Sequence, residues 1–201
     1  MSRWYDALAR SEWRFVDMGM RMLALGEGER VLEVGCGTGR ALVAIAQAVG
    51  APGLAVGLDI AEGMLAAANV RLEHAGVARR PFLVMADGAA LPFGDGTFDA
   101  VFMSFTLELF DSPDIPIVLA ECARVLRAAG RLGVVALSRE GGGPMARLYE
   151  WAHRRWPHWI DCRPIYAREV LEAAGFATVR ADRASTWGLP VEIVLAAKSA
   201  E

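Results

Sequence analysis

The chain has 201 residues, 54% of them apolar and 22% charged, which excludes a disordered polypeptide and suffices for one domain with a sizeable core. A net charge of −3 argues against a general nucleic-acid binder, whose phosphate contacts need a basic surface. Cys36, Cys122 and Cys162 are odd in number and far apart, so neither a zinc knuckle nor a disulfide framework is indicated, and a reducing cytoplasm fits.

Residues 3–25 carry helical apolar spacing at Trp4, Leu8, Phe15, Met18, Met22 and Leu25. The charges at Arg3, Asp6, Arg10, Glu12 and Arg14 make this segment too polar for a signal peptide. Val31–Val34 is a short apolar run ending in glycines, as a buried strand does, and Ala41–Val49 predicts the helix after it. Leu54–Leu58 and Ile60–Ala75 repeat the strand and helix. Phe82–Ala86 and Val101–Ser104 predict strands three and four, Ile115–Leu126 a helix closed by Gly130, and Leu132–Leu137 strand five. Arg168–Ala174 is a short helix stopped by Gly175, and residues 177–183 and 191–197 predict an antiparallel pair at one edge.

Alternating strands and helices predict an α/β fold, a mostly parallel sheet covered on both faces. One domain is expected over 1–201, with an N-terminal helical cap at 1–28 and one lid-like insertion at 138–165. The insertion opens on Gly141-Gly142-Gly143-Pro144 and then becomes aromatic and basic, with Tyr149, Trp151, Arg154, Arg155, Trp156 and Trp159. No apolar run reaches the roughly 20 residues that span a bilayer. Peripheral contact with an anionic membrane through that segment stays open, as do a monomer and a homodimer.

A ligand on an open α/β sheet sits beyond the carboxyl ends of the strands, where Gly35, Gly37 and Gly39 fall. A dinucleotide fingerprint would place glycine or alanine where this chain has Arg40. Glu33, two residues before Gly35, would repel a pyrophosphate but suits a ligand with an ammonium and a sulfonium. Asp59 ends strand two, placed to accept from two ribose hydroxyls. A short-chain dehydrogenase would need Tyr-x-x-x-Lys; Tyr5, Tyr149 and Tyr166 are followed four residues on by Ala9, His153 and Val170, and Lys198 is the only lysine.

At these residues the sequence resembles the class I S-adenosylmethionine-dependent methyltransferases, nearest the ubiquinone/menaquinone-biosynthesis type. The resemblance runs through Val31-Leu32-Glu33-Val34-Gly35-Cys36-Gly37-Thr38-Gly39, Gly57-Leu58-Asp59-Ile60 with Met64, Ala86-Asp87-Gly88-Ala89-Ala90-Leu91-Pro92-Phe93, and Glu121-Cys122-Ala123-Arg124-Val125-Leu126. It implies a Rossmann-like seven-stranded sheet with an antiparallel edge strand, and S-adenosyl-L-methionine as cofactor. Glu33 is then expected to face the methionine amine, and the loop of Gly35, Cys36, Gly37 and Gly39 to pack under the methionine and ribose. Asp59 would hold the ribose, Ile60 and Met64 would flank the adenine, and Asp87 would accept from its amino group beside Gly88. Ser104 and Phe105 would border the methyl donor, and Tyr5 would close over it.

The matched motifs are cofactor motifs and do not carry the acceptor over; the Trp and Tyr residues of the insertion suggest a small-molecule acceptor, aromatic or apolar such as a quinone precursor, methylated at oxygen, carbon or nitrogen. His153, His158 and Glu108 are the candidate general bases. With Ser104 and Phe105 beside the donor, no metal site is expected. The competing reading is a non-catalytic cofactor-binding partner of another methyltransferase, and the intact glycine loop favours an enzyme.

Overall fold

The computed structural model describes residues 3–77, 81–140, 163–186 and 188–198. Helix α1 spans Arg3–Leu23, followed by β1 (Arg30–Val34), α2 (Arg40–Val49), β2 (Leu54–Asp59), α3 (Glu62–Ala75) and β3 (Phe82–Met85). Then come β4 (Phe98–Ser104), a 3-10 turn at Leu107–Leu109, α4 (Ile115–Val125), β5 (Leu126–Leu137), helix α5 (Ala167–Ala173), β6 (Phe176–Thr186) and β7 (Leu189–Lys198).

The seven strands form one sheet in the order β3-β2-β1-β4-β5-β7-β6. Pairing is parallel from β3 through β5, and antiparallel where β7 meets β5 and β6. The expected mostly parallel sheet with its antiparallel pair at one edge is therefore present, β7 being the strand that runs against the rest. Side chains alternate between two cores. Leu32, Val34, Val101 and Met103 face α4 and α5. Val31, Ala100, Phe102 and Val135 face α1 and α2. Each fully buried aliphatic or aromatic side chain contributes about 1.5–3 kcal/mol relative to exposure, so the strands read as continuous apolar runs because both faces are covered.

The boundary between α4 and β5 differs from the sequence expectation. Strand β5 starts at Leu126, directly where α4 ends, and pairs with Phe98 across a register shift. Gly130 is thus inside the strand rather than at a helix end, and Ala129 takes a φ of 58° at the irregularity. Helix α1 packs its Phe15, Val16 and Leu23 into the sheet face. Arg131 on β5 donates to Leu23 O at 2.6 Å and pairs with Glu29 at 2.7 Å, tying the end of α1 to the sheet.

The chain runs from β1 outward through β2 and β3, then returns to β4 on the other side of β1. The strand order reverses between β1 and β4, which opens a crevice at their carboxyl ends.

Candidate active site

The loop after β1 is held by main-chain bonds. Gly35 N and Cys36 N both donate to Leu58 O, at 2.7 and 2.9 Å. Gly37 N donates to Asp59 Oδ2 at 2.8 Å, and Ala61 N to Asp59 Oδ1 at 2.9 Å. Two N–H groups therefore orient the Asp59 carboxylate, and each oxygen keeps a lone pair for a further donor.

Gly35 and Gly37 have φ of 70° and 51°, a region side chains rarely enter, yet they are small for different reasons. A Cβ on Gly35 would stand 2.2 Å from Thr106 Cγ2, whereas one on Gly37 would meet nothing within 4 Å. Gly35 makes room for protein; Gly37 opens onto free space. Gly39 begins α2, where a Cβ would lie 2.9 Å from Ala68 Cβ; it packs helices together and is not in the cavity wall. Arg71 Nε donates to Thr38 O at 2.8 Å. Arg40, standing where a dinucleotide loop would have a small residue, places its guanidinium 4.5 Å from the Trp13 ring centre, a cation–π contact that docks α1 beside the loop.

Above the loop lies a cavity of about 620 Å³. The structure brings nine predicted residues to its wall: Gly35 and Gly37, then Asp59, Ile60 and Met64 at the β2–α3 corner, Asp87 and Gly88 beyond β3, and Ser104 and Phe105 beyond β4. Thr106, Leu109 and Phe110, which sequence reasoning missed, also line it. Ile60, Met64 and Leu109 are 71%, 45% and 52% exposed, and large apolar side chains grouped at a concavity mark a ligand bed. Phe105 holds a φ of 50° while its N donates to Val135 O at 2.7 Å. Thr106 Oγ1 donates toward Ser104 O at 3.0 Å.

Asp87 is turned into place locally: its Oδ1 accepts from Ala89 N at 2.9 Å and its carbonyl from Ala90 N at 3.0 Å, an Asx-type turn. The loop beyond it is clamped from α4. Arg124 donates to Glu121 Oε1 and Oε2 at 2.7 and 2.8 Å, to Phe93 O at 2.7 Å, to Leu91 O at 3.0 Å and to Asp95 Oδ1 at 2.9 Å. Glu121 Oε2 in turn accepts from Leu91 N at 2.8 Å. The bond from Arg124 holds the Glu121 carboxyl below its ordinary range. The Glu121-x-x-Arg124 pair therefore fastens the 87–95 loop and never reaches the cavity.

Several expectations are placed differently. Glu33 is 1% exposed on the α1–α2 face of β1, outside the cavity wall, with Oε2 unpartnered. Burial first, and repulsion from Asp59 second, push its pKa well above the ordinary carboxylate range. Cys36 is likewise turned into the core, where burial, Glu33 and Asp59 push its thiol up to about 12. Glu108 is fully buried, outside the cavity wall, and its Oε1 accepts from Leu137 N at 3.0 Å. That bond fastens the turn after β4 to the end of β5. Asp99, which is not a predicted site residue, accepts from Arg30 N at 2.7 Å and pairs with Arg127 at 2.8 Å. Tyr5 lies in α1, but its side chain is outside the described residues, as are His153 and His158. No group of three His, Cys, Asp or Glu able to hold a metal occurs among the described residues.

Two oriented acids with spare lone pairs, an apolar rim and an open glycine suit a nucleoside with a short polar tail, which is the make-up of S-adenosylmethionine. The comparisons agree with this chemistry. A family model described as a methyltransferase domain matches residues 31–130. A nocamycin O-methyltransferase from Saccharothrix syringae is 40% identical, over 88% of this chain and 69% of that protein. A demethylmenaquinone methyltransferase from Bacillus subtilis is 36% identical over 60% of this chain, which spans 50% of that relative's length. Among solved structures, a SAM-dependent methyltransferase from Aquifex aeolicus shares the fold at a TM-score of 0.69 and 24% identity, covering 92% of this chain and 89% of that one. The chain belongs to the S-adenosylmethionine-dependent methyltransferase family.

Proposed function

We propose that this protein transfers a methyl group from S-adenosylmethionine to a small aromatic or apolar acceptor of the quinone-precursor kind, in the cytoplasm. The observation that carries the reading is the single cavity shared by Gly37, Asp59, Asp87 and Phe105 at the carboxyl ends of β1, β2, β3 and β4. Asp59 accepts from the ribose hydroxyls with the lone pairs its backbone bonds leave over. Ile60 and Met64 flank the adenine, whose amino group donates to Asp87. Gly37 admits the polar tail over its bare Cα, and Ser104 and Phe105 border the reacting end. The left-handed backbone of Phe105 supports that role, since strained residues gather where a ligand must be positioned.

When bound, the cofactor supplies an electrophilic methyl on a sulfonium. The residues around it align the acceptor and exclude water, and orientation of this kind can contribute roughly 7–11 kcal/mol. The Phe105 ring favours the sulfonium charge through its π face. His153 and His158, in the segment between β5 and α5, are the bases for an acceptor that must lose a proton. The quinone-precursor assignment is supported by the demethylmenaquinone methyltransferases among the relatives. Calorimetry tests the cofactor: S-adenosylmethionine and S-adenosylhomocysteine should bind in the micromolar range or tighter, and a preference for a nicotinamide dinucleotide would sink the reading. Turnover of labelled S-adenosylmethionine with quinone precursors then tests the acceptor.

A further inference from the structure

A second cavity, of about 430 Å³, lies between the start of α4 and helix α5. That size suits a small molecule. Its floor is apolar, with Ile115, Ile165 and Val170, and Phe110 stands in its wall and in the wall of the cofactor cavity alike. The two spaces are thus one side chain apart. Its mouth carries positive charge from two separate stretches of chain, Arg139 just after β5 and Arg163 just before α5. These stretches are pinned together: Arg139 N donates to Ile165 O at 3.0 Å, and Ile165 N to Leu137 O at 2.9 Å. The α4 amino terminus, at Ile115 and Pro116, adds the positive end of a helix dipole.

Asp111 pairs with Arg163 at this rim at 2.8 Å, both side chains about half exposed or more (65% and 48%). Such an exposed pair is weakly held, and a guanidinium has five N–H donors in a planar fork that fits a carboxylate. Ser112 and Tyr166 add hydroxyls at the same wall.

We propose that this cavity binds the acidic end of the methyl acceptor, a small molecule with a flat apolar body and a carboxylate or enolate, anchored by Arg139 and Arg163 and reaching past Phe110 toward the methyl donor. The proposal rests on the reading of the neighbouring cavity as the cofactor site. It adds a requirement that the cofactor reading does not contain: the acceptor carries a negative charge at the end remote from the methyl.

The test uses the full chain saturated with S-adenosylhomocysteine, titrated with naphthoate and with the neutral isostere naphthamide. Naphthoate should bind saturably and at least about tenfold more tightly than the amide. Arg139→Gln and Arg163→Gln should each weaken naphthoate by about three- to tenfold and leave naphthamide unchanged. Ala173→Trp, on the exposed side of α5 at the cavity wall, should abolish binding of both. Arg180→Gln, on β6, should change neither. Equal affinity for acid and amide, no saturable binding of naphthoate, or indifference to both arginine variants would overturn the proposal. Failure of S-adenosylhomocysteine to bind, with naphthoate binding intact, would instead overturn the cofactor reading and, with it, the acceptor role of this cavity.

Discussion

The cofactor cavity and the cavity between α4 and α5 are walled by different means. The first is organised by backbone: the N–H groups of Gly35, Cys36, Gly37, Ala61 and Ala89 fix the loop and its two acids. The second takes its character from side chains on three separate stretches, around 110–116, at 139 and at 163–174. A group that never varies can be recognised by main-chain geometry, which tolerates drift in side chains. A group that differs between relatives is better met by side chains, which one substitution can alter.

The largest effect should come from Asp59→Ala. Losing two charge-assisted bonds to the ribose should weaken S-adenosylhomocysteine about a hundredfold or more, while naphthoate binding at the α4–α5 cavity stays within a factor of about two. Calorimetry with both ligands measures this, and a parallel loss at both sites would mean the two cavities are not separate. The glycines come next. Gly35→Ala should cost about 2–4 kcal/mol of stability, from the collision with Thr106 added to the left-handed strain. Gly37→Ala should cost only about 1 kcal/mol of stability but lower cofactor affinity about tenfold, because its methyl enters the ligand's space. Denaturant melts and calorimetry on the two variants separate the roles, and equal stability losses would contradict the assignment.

Arg124→Ala should lose about 2 kcal/mol of stability and weaken the cofactor by a few-fold, since the loop carrying Asp87 is freed from α4. Urea unfolding checks the first, and an unchanged midpoint would show the clamp to be idle. The smallest effect is at Glu33. Its carboxyl stays protonated in the folded chain above the pH where the unfolded chain ionises, so the native state holds the extra proton and stability falls as pH rises through that window. Glu33→Gln removes this penalty. Its advantage in melting temperature without ligand should grow by a few degrees between about pH 5 and about pH 8. A difference independent of pH would mean that Glu33 is ionised in place.

Residue order revealed the strands through their apolar runs and the cofactor cavity through glycines and acids at strand ends. These signals are local, so position along the chain maps directly onto position in the crevice. What it hid is of three kinds. Glu33 and Cys36 sit inside the motif, yet strand alternation points Glu33 to the far face, and the turn at Gly35 sends Cys36 into the core. Thr106 and Phe110 carry no motif at all; they matter because β4 ends beside β1, a long-range pairing no spacing announces. Glu121 and Arg124 were visible as a motif, but their purpose was not: only the folded loop shows them gripping Leu91, Phe93 and Asp95.

The bridge between Ser138 and Ile165 has a bearing on descent as well as on structure. The chain leaves the sheet and rejoins it at adjacent points, sealed by backbone bonds from Arg139 and Ile165 and braced by Glu108, whose main-chain oxygen accepts from Arg163 N at 3.1 Å. Whatever lies between is grafted onto a closed base. Doubling the length of such a graft costs only about 0.6 kcal/mol in closure entropy. A lineage can in this way retool what it methylates while inheriting its donor machinery unaltered.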